Sequence, residues 1–380
     1  MKGDNSPPTA SNAGKAGQRR IADLDALVLA LPLEEQMRFE RIFHVSATVG
    51  KVAPPQAMHG WIREHFGSVD AVRRQRIVKV TNKITLEGAL FNELRASRPI
   101  EAPRHAGDLD VMVQEQAGGP FCHPREGTPA DVFGRVRGRF SLTASNIAKY
   151  DAWHAVVVFD EHHPLRFTTQ QLADYVDTAQ GWAQEAHRAD PEARYPCFLW
   201  NCLWRSGASI LHGHAQMTLS RGMHYARVEN WRQAALRYQA SCQASYFDDL
   251  IAIYRALGLA VDRGQTVIFP TLTPFKEKEI HIIAPQLDGD LKGAIYHVLH
   301  TFVEQLGVQC FNLALYQPPL AITPENWDGF PFVARIIDRG SLQANTSDIG
   351  SMEMFAQSVV ASDPFRVTDA LQAGIEEEAS

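Results

Sequence analysis

Between Asn201 and Gln216 the sequence reads Asn-Cys-Leu-Trp-Arg-Ser-Gly-Ala-Ser-Ile-Leu-His-Gly-His-Ala-Gln, which puts His212, His214 and Gln216 at alternating positions behind a turn of small residues. A strand over residues 211–219 projects alternate side chains from one face, so the three line up with roughly 6.6 Å between successive members. A neutral imidazole is nucleophilic near pH 7 and can hold a covalent intermediate, which divides one phosphoryl transfer into two steps. His214 is the candidate nucleophile, and a backbone carbonyl in the same strand would fix its tautomer. The Ser209 hydroxyl and the Gln216 amide can donate to phosphate oxygens, and Gly207 and Ala208 let the backbone approach an anion. Taken without its neighbours, His-x-His is equally a metal-binding pair or a surface couple. The flanking Asn201, the Ser206-Gly207-Ala208-Ser209 turn and Gln216 tip the reading toward phosphoryl chemistry.

The same segment resembles the active site of the galactose-1-phosphate uridylyltransferases and their relatives in the histidine-triad (HIT-like) superfamily, which include the diadenosine tetraphosphate phosphorylases. The resemblance implies transfer of a nucleoside monophosphate through a nucleotidyl-histidine on His214, with Gln216 and Ser209 catalytic beside it and Asn201 and Gly207 binding substrate. Arg95-Ala96-Ser97-Arg98-Pro99 resembles the family's arginine segment, which implies that Arg95 and Arg98 face the nucleotide phosphates. Guanidinium groups suit that task through bidentate bonds, although the same pair also reads as a solvated loop before Pro99. Ser145-Asn146-Ile147-Ala148 sits where the family has an asparagine near the ribose, and Asn146 alternatively reads as a turn residue.

Near the C-terminus, Gly350-Ser351-Met352-Glu353-Met354 resembles the family's Gly-Tyr-Glu-Met segment, which implies a hexose contact for Glu353. The tyrosine position is Met352, which has no hydrogen to donate to a sugar phosphate. Many uridylyltransferases hold zinc with a Cys-x-x-Cys pair, a later histidine and the first histidine of the active-site motif. Cys122, His163 and His212 match three of those ligands, and Gly119 stands at the first cysteine. A closed zinc site needs four ligands, so His123, Glu126 or water would have to complete it. The alternative makes Cys122 a small buried hydrophobe and His163 a loop residue. Residues 312–320 resemble a strand that carries iron-binding histidines in some uridylyltransferases, and no histidine stands there. Zinc is thus the one cofactor that the resemblance raises, three of its four ligands being matched, and no organic cofactor is expected.

The elements that must position these groups point to an α+β class. The expectation is a HIT-like antiparallel sheet with flanking helices in two related halves, plus an N-terminal helical extension. Apolar residues recur at helical spacing over residues 21–43, and a second helical stretch covers 55–76. Residues 77–85 alternate as a strand, and 155–159 read as a buried one. Thr168 or Thr169 caps a helix running to about residue 187, and strands around 198–200 and 215–219 form an antiparallel pair. Helices follow over 227–257, strands near 267 and 280, a helix over 292–306 and a strand at 311–316. The resulting division is a disordered tail (1–20), the helical extension (21–76), a first half with the active-site motif (77–225), a second half (226–370) and an acidic tail (371–380).

Composition bounds the partners. A net charge of −6 argues against a nucleic-acid-coating surface, and 45% hydrophobic residues suffice for a sizeable core. Five cysteines without a framework spacing fit reduced thiols in the cytoplasm. No apolar stretch follows the N-terminal residues as a signal peptide requires, and none is long enough to span a membrane. The expected partners are a nucleotide-sugar or dinucleotide substrate and a phosphorylated acceptor, and the resemblance implies a homodimer. Three functions follow: a uridylyltransferase-like enzyme using a sugar-1-phosphate acceptor, a phosphorylase of the diadenosine tetraphosphate type, and a nucleotide-binding regulatory protein descended from such an enzyme.

Overall fold

The computed structural model describes residues 19–97, 108–344 and 346–378. Its first region contains α1 (Leu24–Leu29), α2 (Leu33–Ile42), β1 (Phe43–Lys51), α3 (His59–Phe66), α4 (Val69–Arg73), β2 (Arg74–Asn82) and β3 (Gly88–Phe91). There follow α5 (Leu109–Glu115), α6 (Pro124–Gly127), β4 (Ser141–Ser145), β5 (Trp153–Phe159), α7 (Thr169–Ala189), β6 (Ala193–Cys202) and β7 (His214–Arg221). Then come α8 (Ala226–Cys242), α9 (Tyr246–Leu257), β8 (Val261–Arg263), β9 (Thr266–Pro270), β10 (Ile280–Ala284), α10 (Gly289–His300) and β11 (Phe311–Tyr316). The chain closes with β12 (Phe332–Asp338), α11 (Ser351–Phe355), β13 (Ser358–Val360) and α12 (Pro364–Glu378).

The fold is α+β. Nine strands form one antiparallel sheet in the order β4-β5-β7-β6-β11-β12-β10-β9-β8. The two halves meet inside it, where β6 pairs with β11 from Cys202 opposite Phe311 to Phe198 opposite Leu315. One face is sealed by α7 and α10, which bury Tyr175, Trp182, Ile295 and Leu299 against Trp200, Met217 and Leu313. Burial of side chains this size stabilises by about 1.5–3 kcal/mol each, so this face is fixed. Thr168 starts α7 through a capping box with Gln171, as the sequence leads one to expect. On the second half of the opposite face, α8 and α9 bury Trp231 and Tyr254 against Phe269, Val333 and Tyr316. Its first half carries, among the described residues, the small cluster of Ala144, Val156 and Val158 with Phe121 against it, and beside them the histidine motif.

Two expectations fail here. The N-terminal extension is not wholly helical, because Phe43–Lys51 is a strand paired along its length with β2. Val45, Thr48 and Val49 are β-branched and suit it, and β2 supplies its hydrogen bonds. This region also does not stand apart: β3 pairs in parallel with β13 from the far end of the chain, completing a sheet ordered β1-β2-β3-β13. Residues 371–378 are not a tail, since they continue α12, and Leu371 is fully buried. No helix among the described residues is long and apolar enough to cross a membrane.

Candidate active site

The motif is built by the connection from β6 to β7. Leu203 leaves β6 at φ 68° and ψ 173°, a region almost reserved for glycine, where about 1–3 kcal/mol of strain is stored. A single 3-10 turn over Trp204–Ser206 then ends at Gly207 in the left-handed region, φ 99°. Gly213 is required for a different reason: a Cβ there would lie 2.7 Å from Cδ2 of Phe159 and 3.1 Å from the Glu161 carbonyl. Only hydrogen fits between the two histidines. The sequence puts the start of the strand at residue 211; it begins at His214, with His212 in the approach to it.

His214 is 7% exposed, and its Nδ1–H donates to the His212 carbonyl at 2.8 Å. A carbonyl can only accept, so Nδ1 carries the proton and Nε2 keeps its lone pair. Burial lowers the His214 pKa from its ordinary value, which holds the ring neutral. The edge of Phe121 packs on it with ring centroids 5.0 Å apart. Gln216 lies one pleat further on the same face, opposite Leu199 of β6. Its Oε1 is 3.1 Å from Nε2 of the fully buried His154.

Asn201 stands opposite His214 if the β6–β7 register is continued. Its Oδ1 accepts from Asn312 Nδ2 at 2.6 Å, Asn312 Oδ1 accepts from Arg339 at 2.6 Å, and Arg339 is clamped by Asp348 at 2.7 Å. That relay uses the Asn201 oxygen and leaves its Nδ2 beside the Gly207 turn, 3.9 Å from where a Cβ of residue 207 would stand. A cleft of about 280 Å³ continues over β6, β11 and β12, with Leu199, Asn201, Arg227, Asn312, Arg335 and Arg339 among its walls.

Cys122, His162 and His212 form a second cluster. His212 Nε2 donates to the Phe159 carbonyl at 2.7 Å, and His162 Nε2 donates to the Val113 carbonyl at 2.7 Å. Both Nδ1 atoms are therefore lone-pair acceptors, yet they face each other at 2.9 Å, with the Cys122 sulfur 3.3 and 3.5 Å away. Converging acceptors of this kind repel unless a cation lies among them. Ligands on tetrahedral zinc lie about 3.3–3.6 Å apart, given metal bonds of about 2.0–2.3 Å, so the donor types and the two sulfur–nitrogen distances suit zinc, and the two nitrogens would part by a few tenths of an ångström on binding it. Gly118 N–H donates to the Cys122 sulfur at 3.3 Å and holds it in place. Burial pushes the His212 pKa down to about 4, keeping the ring unprotonated for coordination.

This corrects the ligand read from the sequence. His163 faces away: its Nε2 is 3.2 Å from Asp110, and its Nδ1 accepts from Leu165 N–H. The chain turns sharply after β5, so His162, three residues beyond Phe159, comes beside His212. The adjacent pair His162-His163 was the only sequence signal that could have raised this choice. His123 and Glu126 lie by the short helix α6 and are not part of the cluster.

The other expected residues are dispersed. Arg95 lies in the 3-10 turn Glu93–Ser97 and is exposed, while Arg98 falls outside the described residues. Ser209 is exposed after the Gly207 turn. Asn146 begins the β4–β5 connection, accepting from Ala148 N–H at 3.0 Å, with its Nδ2 3.4 Å from His154. Glu353 accepts from Gly350 N–H at 2.9 Å and lies 4.0 Å from the buried Lys276, so much of its carboxylate caps α11. His154, Asn312 and Arg339 were not anticipated, because each matters through a partner far away in sequence.

No protein-family profile matches the sequence, and neither does any curated protein. The fold nevertheless identifies a class: the chain has the HIT-like fold of the galactose-1-phosphate uridylyltransferase-like proteins. An Arabidopsis thaliana ADP-glucose phosphorylase, solved with ADP-glucose, is similar over 76% of this chain and 96% of its own, at TM-score 0.58 and 17% identity. A galactose-1-phosphate uridylyltransferase-like protein from Arabidopsis thaliana matches over 67% of this chain and 92% of its own, at TM-score 0.55 and 17% identity. A uridylyltransferase matches over 78% and 98%, at TM-score 0.53 and 15% identity.

Proposed function

We propose that the protein is a nucleotidyltransferase working through a covalent nucleotidyl-histidine on His214. The observation that carries this reading is the bond from His214 Nδ1–H to the His212 carbonyl, which leaves a neutral, buried Nε2 lone pair beside an amide donor. In the first half-reaction Nε2 attacks the α-phosphorus of a nucleotide-sugar or dinucleotide. The N–P bond forms, the bond from phosphorus to the bridging oxygen breaks, and a phosphorylated leaving group departs with that electron pair. In the second, an oxygen of an acceptor phosphate attacks phosphorus, the N–P bond breaks and neutral His214 returns. Gln216 and Ser209 donate to the non-bridging oxygens, where loss of one well-placed donor lowers the rate on the order of a hundredfold. In this reading Asn201, Gly207 and Asn146 bind the nucleotide, with Arg95 toward its phosphates and Glu353 toward the sugar; Arg98, outside the described residues, keeps its phosphate role from the resemblance alone. Zinc held by Cys122, His162 and His212 would fix the approach to β7 and so the position of His214.

For the acceptor, inorganic phosphate is favoured over a hexose-1-phosphate by Met352, which replaces the tyrosine expected at a hexose phosphate, and by the similarity to an ADP-glucose phosphorylase. Two copies associating as a homodimer belong to the same proposal and are read by light scattering. Incubation with α-phosphate-labelled UDP-, ADP- and GDP-sugars and diadenosine tetraphosphate tests the chemistry. Acid-labile label on the protein, absent in His214→Ala, is expected. Its release by phosphate as a nucleoside diphosphate supports the phosphorylase, and exchange that requires a hexose-1-phosphate supports the uridylyltransferase. Absence of label with every donor removes the covalent mechanism and leaves a nucleotide-binding regulatory protein.

A further inference from the structure

His154 is the least accessible polar group around the site, 0% exposed on β5. It shares the sheet face of Gln216, since β5 pairs with β7 through His154 opposite Thr218 and Val156 opposite Gln216. Its two nitrogens have unlike partners. Nδ1 accepts from Tyr150 N–H at 2.9 Å, so the proton of the neutral ring must sit on Nε2. That Nε2 lies 3.1 Å from Gln216 Oε1. The Tyr150 ring stacks on the imidazole, centroids 4.2 Å apart and planes 20° from parallel. Lys149 ties the same turn down by donating to the His154 carbonyl at 3.0 Å.

We propose that His154 is a positioning residue that locks the orientation of the Gln216 amide, so that its oxygen is held by imidazole and its NH2 group faces the reacting phosphate. The two ends of a glutamine amide are nearly equal in size and opposite in function: turned over, Gln216 would present an acceptor to an anion. A donor fixed on Nε2 permits only one orientation. The same proton explains Asn146. Its Oδ1 is held by Ala148 N–H, so its Nδ2 stands 3.4 Å from a ring nitrogen that is already protonated. That nitrogen cannot accept, and the Asn146 NH2 is left for another acceptor. The imidazole thus aims the Gln216 amide, and Ala148 N–H aims that of Asn146. Burial lowers the His154 pKa and is the largest influence, opposed first by the hydrogen bond to Gln216 and aided by Lys149, with the net direction toward the neutral ring.

This inference rests on the nucleotidyl-transfer reading for the role of Gln216, but the lock itself can be read without turnover. In protein labelled with 15N-histidine, the His154 resonances, identified by their loss in His154→Phe, are expected to report the Nε2–H tautomer and to move in Gln216→Ala. Single-turnover labelling supplies the second arm. His154→Asn keeps an acceptor for Tyr150 N–H but lacks the donor, and is expected to slow labelling about tenfold, the order of one ordering hydrogen bond. His154→Gln places an NH2 near the lost Nε2 and should recover to within about threefold, with donor affinity little changed. In a Gln216→Ala background His154→Asn should change the rate less than about twofold. An Nδ1–H tautomer overturns the proposal, as does an undiminished effect of His154→Asn without Gln216. If no donor labels the wild type, the chemical reading falls while the tautomer and its response to Gln216→Ala still decide the lock.

Discussion

Removing His162 should abolish zinc binding, and removing His163 should not. The three ligand atoms are held before any metal arrives, since both imidazoles are oriented by carbonyls and the sulfur by Gly118 N–H. Binding to this preformed set stabilises the folded state by RT ln(1 + [Zn]/Kd), about 2.7 kcal/mol at a hundredfold excess over Kd. Unfolding entropy of about 2.1 cal/mol/K per residue amounts to about 0.8 kcal/mol/K for 380 residues, so the melting temperature should rise by about 3 °C. The assay is a thermal melt of chelator-treated protein with and without zinc, paired with metal content by mass spectrometry. Wild type and His163→Ala should each take up one zinc and shift by about 3 °C. His162→Ala and Cys122→Ala should do neither. The reasoning from ring orientation is refuted if the shift survives in His162→Ala and disappears in His163→Ala, or if the wild type takes up no zinc.

Three further outcomes follow from named contacts. Gly213→Ala forces a Cβ to 2.7 Å from Phe159, whose ring is stacked on Tyr175 at 3.6 Å and has no room to retreat. Urea unfolding should show a loss of about 1–3 kcal/mol, accompanied by slower labelling of His214, and an unchanged variant would mean that β5 yields there. Arg335→Met leaves the buried Glu279 and the partly exposed Glu87 without the guanidinium that contacts them at 2.6 and 2.7 Å, and the loss at Glu279 should cost about 3–5 kcal/mol in denaturant. Glu279→Gln in that background should restore part of it, and a loss below about 1 kcal/mol contradicts the account. Asp363, which accepts from Ile21 N–H and Phe365 N–H, has its pKa raised by burial from 3.8 to about 6. Its folded form prefers the proton, so its contribution is full below about pH 4 and is lost as pH rises through about 6. Two units correspond to about 3 kcal/mol, so Asp363→Asn should gain by up to that amount over wild type between pH 4 and 8. A difference that does not vary with pH would contradict this assignment.

Much of the fold was legible because the patterns that report it are local. The capping box at Thr168, the apolar spacing of α7, and the pairing of strands around Phe198 and Met217 are written in neighbouring residues. β1 is not legible in its own residues because its hydrogen bonds come from β2 some thirty residues on, and β13 is not because its partner, β3, lies at the other end of the chain. Residues 371–378 read as acidic and exposed, yet the one face that carries Leu371 is covered by the core.

The candidate site divides in the same way. Residue type and period alone determined that His214 and Gln216 share a face, that Gly207 makes the turn, and that a carbonyl within the motif holds the His214 ring, since strand geometry requires nothing distant. Spacing could not decide between His162 and His163. A one-residue difference in where the chain turns after β5 rotates one imidazole toward His212 and the other toward Asp110, and that turn is set by how β5 packs against β7. Nor could it supply the partners of the amides: His154 reaches Gln216 from the neighbouring strand 62 residues away, and Asn312 reaches Asn201 across the seam between the halves. Sequence chose the candidate groups; tertiary packing chose their tautomers and directions, because a hydrogen bond depends on which atoms meet and not on how far apart they lie along the chain.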